Sequence, residues 1–387
     1  MQVTVYRNDI IDGLQKSANI IPAKTGAAFL RTIWLQAADG NLRIMSTDSS
    51  LEFTGNYPAE VAAEGLAGVQ GRSFFELVRK LPPGKIDLKL DPATQNLLIS
   101  QGNRRYKLAV SEQSWFQEFA AFPENGTVYW SGDFLQELID RIMFCVSDED
   151  TMEAMACMYF KPVADDSKIE VCGLNGHQFA MASFINDDIL AALPAEGALI
   201  QKKYVMELKK WLTSDEIELS LSQKRLFFRT GDKRETFSLP LSYHQFPDYK
   251  NFTAKVYAGE TSVLTANRRE LIEALERIGI FNTDSNRCTF FLFDSPTQAT
   301  LSSQAQESGA ATETLDVSYK GDLTRIAFPT KDIVDILAHF HSETVDFALT
   351  GSEGPCGVTG PDDADYLVIV MPMKIHEETY YSEESIS

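Results

Sequence analysis

The carboxylate run Asp148-Glu149-Asp150 is the nearest approach in this chain to a hydrolytic constellation, and acid runs of this kind are ordinarily solvated loops. His339 and His341 bracket a phenylalanine, but no third ligand stands at a spacing that would complete a metal site. His177 lacks a serine and an aspartate arranged to serve it as a triad. The cysteines Cys145, Cys157, Cys172, Cys288 and Cys356 are odd in number and scattered, with no CxxC, as expected for buried reduced thiols. Walker, GxSxG, HExxH and GxGxxG patterns are all missing. No enzyme activity, cofactor or metal is therefore expected. What remains is Met371-Pro372-Met373, whose methionines on residue type alone read as core before they read as a contact surface. Flexible, polarizable thioethers let one surface repack around different ligands. A proline between them ends regular strand pairing and leaves its neighbours available.

The elements that must position these residues come in three copies. ELVRKL (76–81), ELKKWL (207–212) and DILAHF (335–340) are each followed, after four residues, by an alternating strand beginning at Ile86, Ile217 or Val345. The register is gapless: 207 − 76 and 217 − 86 both give 131, and 335 − 207 and 345 − 217 both give 128. An upstream helix recurs at DIIDGL (9–14), DFLQEL (133–138) and ELIEAL (270–275), with apolar residues at helical spacing. Alternating segments with turn residues lie between and after the helices and read as antiparallel strands. Each copy is thus two helices and roughly eight short strands, an α+β unit with its helices on one face of a sheet. Ser73 and Glu76 have the spacing of a capping box. Phe-Pro linkers at 121–126 and 245–252 mark the joints.

At 387 residues, two or three domains are expected, and 44% hydrophobic with 23% charged residues is ordinary for a globular protein. No apolar run reaches the ~18–20 residues of a membrane span, no signal-peptide core follows the N-terminus, and a cytoplasmic protein without membrane contact is expected. The net charge of −20 argues against a broad grip on phosphate, so any contact with nucleic acid must come from a local basic face. The repeat register supplies one. Arg72 corresponds to Lys203 and Lys331, Arg79 to Lys210, and Lys16 to Arg277, with Lys202 and Arg141 close by. Arg72 with Arg79 and Lys203 with Lys210 are seven apart, on one helical face.

DADYLVIVMPMKI, LNGHQFAM, QFPDYKNF and TLDVSYKGDLTRIAF, in that setting, resemble segments of the bacterial DNA polymerase III beta subunits, the sliding-clamp family. The resemblance runs essentially to Ile375. It implies the DNA-clamp fold, with domains at 1–122, 123–252 and 253–375 and an acidic tail at 376–387, and a head-to-tail dimeric ring. It implies a processivity factor that encircles duplex DNA without sequence preference and holds DNA polymerase III, other polymerases and a clamp loader. Partner peptides would enter a pocket formed by Met155, Leu174, Gly176, His177, Gln178, Phe179, Pro247 and Phe252 together with Ile369, Met371, Pro372, Met373 and Lys374. Leu174, Gln178 and Phe252 depart from the family's threonine, arginine and valine, so the pocket should be more apolar and less cationic. The dimer contact would use Arg105 and Tyr106 on one side, Ile280 and Phe281 on the other. Lys24 falls at a DNA-contacting position, whereas Glu149, Glu153 and Ala154 replace polar and aromatic ones. A repeat scaffold that binds protein alone, or a carboxylate-dependent hydrolase, are the alternatives.

Overall fold

The computed structural model describes the chain except for residues 23–26, 149–151, 223, 258–260, 284–286, 306–308 and 375–387. Lys24, Glu149, Asp150 and the acidic tail with Tyr380 and Tyr381 therefore lie outside the described residues.

The first repeat comprises β1 (Gln2–Tyr6), α1 (Arg7–Ile20), β2 (Thr32–Ala38), β3 (Asn41–Thr47), β4 (Glu52–Pro58), β5 (Glu60–Ala63), β6 (Gly65–Gln70), α2 (Gly71–Lys80), β7 (Lys85–Asp91), β8 (Asn96–Gln101) and β9 (Arg104–Ser111). The second comprises β10 (Val128–Ser131), α3 (Gly132–Met143), β11 (Cys157–Val163), β12 (Lys168–Leu174), β13 (Gln178–Phe184), α4 (Asp187–Ala192), β14 (Ala198–Gln201), α5 (Lys202–Trp211), β15 (Glu216–Leu221), β16 (Arg225–Thr230) and β17 (Glu235–Pro240). After α6 (Lys250–Tyr257) the third comprises β18 (Ser262–Asn267), α7 (Arg268–Gly279), β19 (Cys288–Ser295), β20 (Gln298–Ala305), β21 (Gly309–Lys320), β22 (Arg325–Pro329), α8 (Thr330–Ala338), β23 (Thr344–Leu349), β24 (Cys356–Thr359) and β25 (Tyr366–Val370). The two expected helices of each repeat are α1 and α2, α3 and α5, and α7 and α8.

Helical spacing decides which face of each helix is buried. In α2, Phe74, Phe75 and Val78 are buried while Arg72 and Arg79 are exposed, the division that a 3.6-residue period imposes. The capping box expected at Ser73 and Glu76 is not formed. Ser73 already lies inside the helix and donates its backbone N–H to the Gln70 side chain at 2.6 Å, while Glu76 turns to Arg79. The first residue of α3, Gly132, has no room for a side chain, since a Cβ there would sit 2.0 Å from the Thr213 carbonyl oxygen.

Contacts gather the described residues into two compact units, one of residues 1–139 and 186–243, the other of 140–185 and 244 onward. In unit 1 the strands follow the order β10-β15-β16-β17-β4-β3-β2-β6-β9-β8-β7-β1-β5. The sheet passes from the second repeat into the first where β17 pairs antiparallel with β4, Phe237 opposite Phe53 and Thr236 opposite Thr54. Ile10 and Leu14 of α1 share a core with Leu42, Ile44 and Tyr57. Glu235 on β17 reinforces this joint, accepting from the Tyr57 hydroxyl at 2.8 Å and from Lys16 Nζ at 2.5 Å. Burial, followed by the Glu235 carboxylate, pushes the Tyr57 hydroxyl pKa far up, so that it remains a donor.

Unit 2 repeats the device. Its strands run β11-β12-β13-β25-β24-β23-β18-β21-β20-β19-β22, and β25 of the third repeat pairs with β13 of the second, Phe179 opposite Ile369. Asp363 fastens the joint. It accepts from the Ser342 hydroxyl at 2.6 Å, the Ser342 backbone at 2.9 Å and the His341 backbone at 3.0 Å, and from Arg141 of α3 at 2.9 Å. The Arg141 guanidinium lies over the Tyr366 ring, whose hydroxyl donates to the Arg141 carbonyl.

Burial opposes ionisation of Asp363, but the bonds from Ser342 and His341 and the charge of Arg141 outweigh it and leave its pKa lowered. A lowered folded-state pKa stabilises the fold above the usual carboxylate range near about 4, and that stabilisation is lost as pH falls through the folded value. Asp363→Ala should cost about 3–5 kcal/mol, the range for removing one partner of a buried pair, as read by urea unfolding. The variant should also lose part of the acid dependence that wild type shows below about pH 4.

Candidate functional site

In unit 2, three stretches distant in sequence meet on the outer face of the β12–β13–β25 sheet. The β12–β13 hairpin turns at Asn175, whose side-chain oxygen accepts from the His177 and Gln178 backbones at 3.0 and 2.8 Å. Gly176 takes φ +90° there, a left-handed conformation that suits glycine, and a Cβ at that position would lie 3.6 Å from the Met155 methyl. β25 ends at Val370 because Pro372 can donate no hydrogen bond. Met371 still donates its backbone N–H to the His177 carbonyl at 2.9 Å, and Met373 to Ala327 at 2.8 Å. The Phe-Pro linker brings Phe246, Tyr249 and Phe252 onto the same face. Phe252 meets Phe179 edge-on at 5.0 Å, and Tyr249 stacks on Phe179 at 5.4 Å.

The expected pocket residues separate into a floor and a rim. Met155, Gln178, Phe179 and Ile369 are buried. Leu174, Pro247, Phe252 and Pro372 are half-buried, while Gly176, His177, Met371, Met373 and Lys374 are exposed. Met371 and Met373 are 38% and 43% exposed, unusual for methionine and consistent with a contact surface. The structure adds a supporting layer. Tyr249 donates its hydroxyl to the buried Glu170, and Lys161 lies over the Tyr249 ring at 4.9 Å. Burial, then the neighbouring Cys172, Glu170 and its hydrogen bond, pushes the Tyr249 pKa far up. Asp332 of α8 lies close enough to Gln178 for the amide to favour its charged form. Burial pushes its carboxyl pKa up, partly offset by that amide. Tyr249 stood in the recognised linker motif, but Glu170, Lys161 and Asp332 carried no local signal, since strand register and tertiary packing bring them here.

Besides the strands that end each sheet, such as β5, β10 and β22, two strands keep a side open over part of their length among the described residues. β9 pairs with β8 over Arg104–Ala109, yet with β6 only at Val110 and Ser111. β21 pairs with β20 over Gly309–Asp316 and turns to β18 only from Val317 on. The exposed β9 side chains Arg104, Arg105 and Lys107 are cationic, while the open part of β21 carries Glu313 and Asp316. Arg105 and Tyr106 thus lie on one open edge. Ile280 and Phe281 are not on a strand: Ile280, 76% exposed, caps α7, and a Cβ on Gly309 at the start of β21 would lie 4.0 Å from the Phe281 ring.

The helix cations are mostly balanced by neighbouring acids. Arg79 pairs with Glu76 at 2.7 Å, Lys210 with Glu207 at 2.6 Å, and Arg277 with Glu313 at 2.5 Å, all with exposed basic ends. Arg72 reaches the Ile21 carbonyl at 3.4 Å, Lys203 lies over Tyr204 at 4.8 Å, Lys202 is half-buried, and Lys331 is exposed. Arg141 is not the surface cation that its repeat position suggested, because Asp363 holds it inside unit 2. Glu153 pairs with His244 beside Ala154 and adds no cation. Among the described residues no cluster of His, Cys, Asp or Glu could hold a metal, and no helix is long and apolar enough to cross a membrane.

Family models for the DNA polymerase III beta subunit match residues 1–119 as its N-terminal domain, 131–248 as its central domain and 258–374 as its C-terminal domain. The chain belongs to the DNA polymerase III beta subunit family. The beta sliding clamp of Salmonella typhimurium is 25% identical over 378 residues, covering 97% of this chain and all of that one. That of Caulobacter vibrioides is 22% identical over 380 residues, with the same coverage. The crystal structure of the DNA polymerase III subunit beta from Pseudomonas aeruginosa superposes with TM-score 0.86 at 25% identity, over 97% of this chain and 100% of the other. The repeats are the three domains of a sliding-clamp fold, and the family's role is that of a processivity factor.

The supporting layer is open to test. Tyr249→Phe leaves Glu170 buried without its hydroxyl donor and should cost about 1–3 kcal/mol in urea unfolding, with the ring stack retained.

Proposed function

We propose that two copies of this chain close head to tail into a ring around duplex DNA, and that the unit 2 pocket holds peptides of its replication partners. The observation that carries the reading is the rule of strand pairing between repeats. The last strand of the second repeat pairs with the fourth strand of the first, β17 on β4. The last strand of the third pairs with its counterpart in the second, β25 on β13. The same rule leaves β9 and β21 each open along part of one side, and a second chain supplies the missing neighbour for each. Heterologous contacts of this kind either close into rings or run on as filaments, and an open edge of this length is otherwise an aggregation hazard. The basic β9 and acidic β21 edges suit the contact, with Arg105 and Tyr106 facing the end of α7 at Ile280 and Phe281. The domain limits follow as 1–122, 123–252 and 253–375.

DNA is held by enclosure in this reading. The exposed helix cations Arg72, Arg79, Lys203, Lys210, Arg277 and Lys331, most with an acid nearby, give a weak, salt-screened attraction without sequence preference. Lys24 and Lys202 belong to the same proposal. The pocket rim of Leu174, His177, Phe252, Met371 and Met373 receives a short apolar peptide from DNA polymerase III, other polymerases or a clamp loader. The chain is non-catalytic and acts in the cytoplasm.

A nicked plasmid loaded by a clamp loader should retain the protein at high salt, and restriction cutting should release it. Phe281→Asp should abolish retention on circles, whereas Lys203→Ala should leave it. Equal retention on cut and uncut DNA would show direct gripping and sink the ring. Met373→Ala should weaken binding of polymerase-derived peptides roughly tenfold to a hundredfold, from about 1.5–3 kcal/mol of lost burial, without changing the dimer. Unchanged affinity would remove the pocket assignment.

A further inference from the structure

The two linkers carry the same aromatic triplet. Phe116, Phe119 and Phe122 precede Phe246, Tyr249 and Phe252 by a constant 130, since 246 − 116, 249 − 119 and 252 − 122 agree. The first ring of each meets an aromatic side chain at the corresponding strand position, Phe116 edge-on to Trp34 of β2 at 5.2 Å and Phe246 stacked on Tyr159 of β11 at 4.9 Å. The second position differs. In unit 2, Tyr249 covers the cross-strand row Lys161–Glu170–Ser183, its hydroxyl on the Glu170 carboxylate and Lys161 over its ring. The corresponding row in unit 1 is Gln36–Arg43–Asn56, on β2, β3 and β4. Phe119 stacks on Phe116 at 6.4 Å, and a cleft of about 410 Å³ stands over that row.

The cleft has an aromatic wall and a charged rim, on which Arg43, Arg229 and Lys233 stand with Glu118 and Glu124. Phe116, Phe119, Phe122 and Met45 supply the apolar surface. Arg43 and Lys233 reach it as exposed side chains, and neither has a carboxylate within ion-pair distance among the described residues. Arg43 spends only its Nε on the Asn56 side-chain oxygen, at 2.9 Å. Arg229, also lining the cleft, is already satisfied by Glu124 and Glu218 and stacks beneath Phe122 at 3.9 Å. Unit 2 fills its version of this place with an aromatic ring whose polar end meets a carboxylate. In unit 1 the acid is replaced by an arginine, so the complementary guest is an aromatic side chain accompanied by a carboxylate.

We propose that the unit 1 cleft is a second peptide site, selective for an acidic peptide bearing an aromatic side chain. The inference rests on the reading of the unit 2 junction as a peptide pocket. The aromatic wall buries the ring, and charge-assisted bonds from Arg43 and Lys233 bind the carboxylates and set the selectivity.

The test is calorimetric titration of the full-length dimer with the pentapeptide Asp-Phe-Asp-Leu-Phe, acetylated and amidated at its ends. Wild type should take up two peptides per chain. Met373→Ala should weaken one of them at least tenfold, and the double variant Arg43→Glu with Lys233→Glu should weaken the other at least tenfold. Thr54→Trp, which places a ring in the cleft and keeps both cations, should block that same peptide, and unchanged melting of each variant shows that the fold survives. A peptide with Asn for both Asp should be lost from the cleft and kept by the pocket. One peptide per chain, weakened by Met373→Ala and untouched by the charge reversals, would overturn the cleft and spare the pocket. Two peptides at unchanged affinity in Met373→Ala, one of them weakened on charge reversal, would overturn the pocket assignment and leave the cleft. Equal binding of the Asn peptide at both sites would overturn the proposed selectivity.

Discussion

Everything in this fold depends on one backbone interaction, the antiparallel pairing of a repeat's last strand with the fourth strand of the repeat before it. β17 on β4 and β25 on β13 make continuous sheets out of separate α+β repeats. Because backbone N–H and C=O groups are obligatory partners, the rule also defines what is unfinished, the outer sides of β9 and β21. Side chains then reinforce each joint from buried carboxylates. Glu235 gathers Tyr57 and Lys16, and Asp363 gathers Arg141, Ser342 and the His341 backbone. In both places an acid of a later repeat satisfies donors of an earlier one, so the joint is specified by polar groups that are costly to leave unpaired.

The same acids shape the electrostatics. A chain of net charge −20 cannot bind a polyanion by its overall field. Its helix cations are exposed at their ends but paired with Glu76, Glu207 and Glu313 in three of the cases seen. Exposed pairs of this kind are worth little to stability. Their effect here is to reduce the pull of each cation on a phosphate, which favours a protein that must move along a duplex over one that must grip it.

The two linker junctions show how one architecture acquires two chemistries. Each lays an aromatic triplet on the outer face of a sheet, and each places a cross-strand polar row beneath the second ring. With glutamate in the row and tyrosine above it, the space closes and becomes the support for a neighbouring pocket. With arginine in the row and phenylalanine above it, the ring has no hydroxyl to anchor it there, and a cleft opens.

While α4 and α6 went unforeseen, the sequence by itself determined the repeat and the two main helices of each copy. Those features are periodic or local: 3.6-residue spacing fixes the buried face of α2, alternation marks the strands, and Met371-Pro372-Met373 marks a strand end. Even locally one competitor went unseen, since Gln70 caps α2 in place of the expected capping box. Tertiary structure alone decided which cations are free and which carboxylates are structural. Arg141 looks similar to its surface counterparts in the repeat, yet it is half-buried and held by the buried Asp363, 222 residues away. Glu170 and Lys161 gave no signal because their roles arise only when Tyr249 folds over their strands. The physical reason is common to all of these: an ion pair or a ring contact depends on position in three dimensions, and no sequence spacing encodes a distance across strands from different repeats.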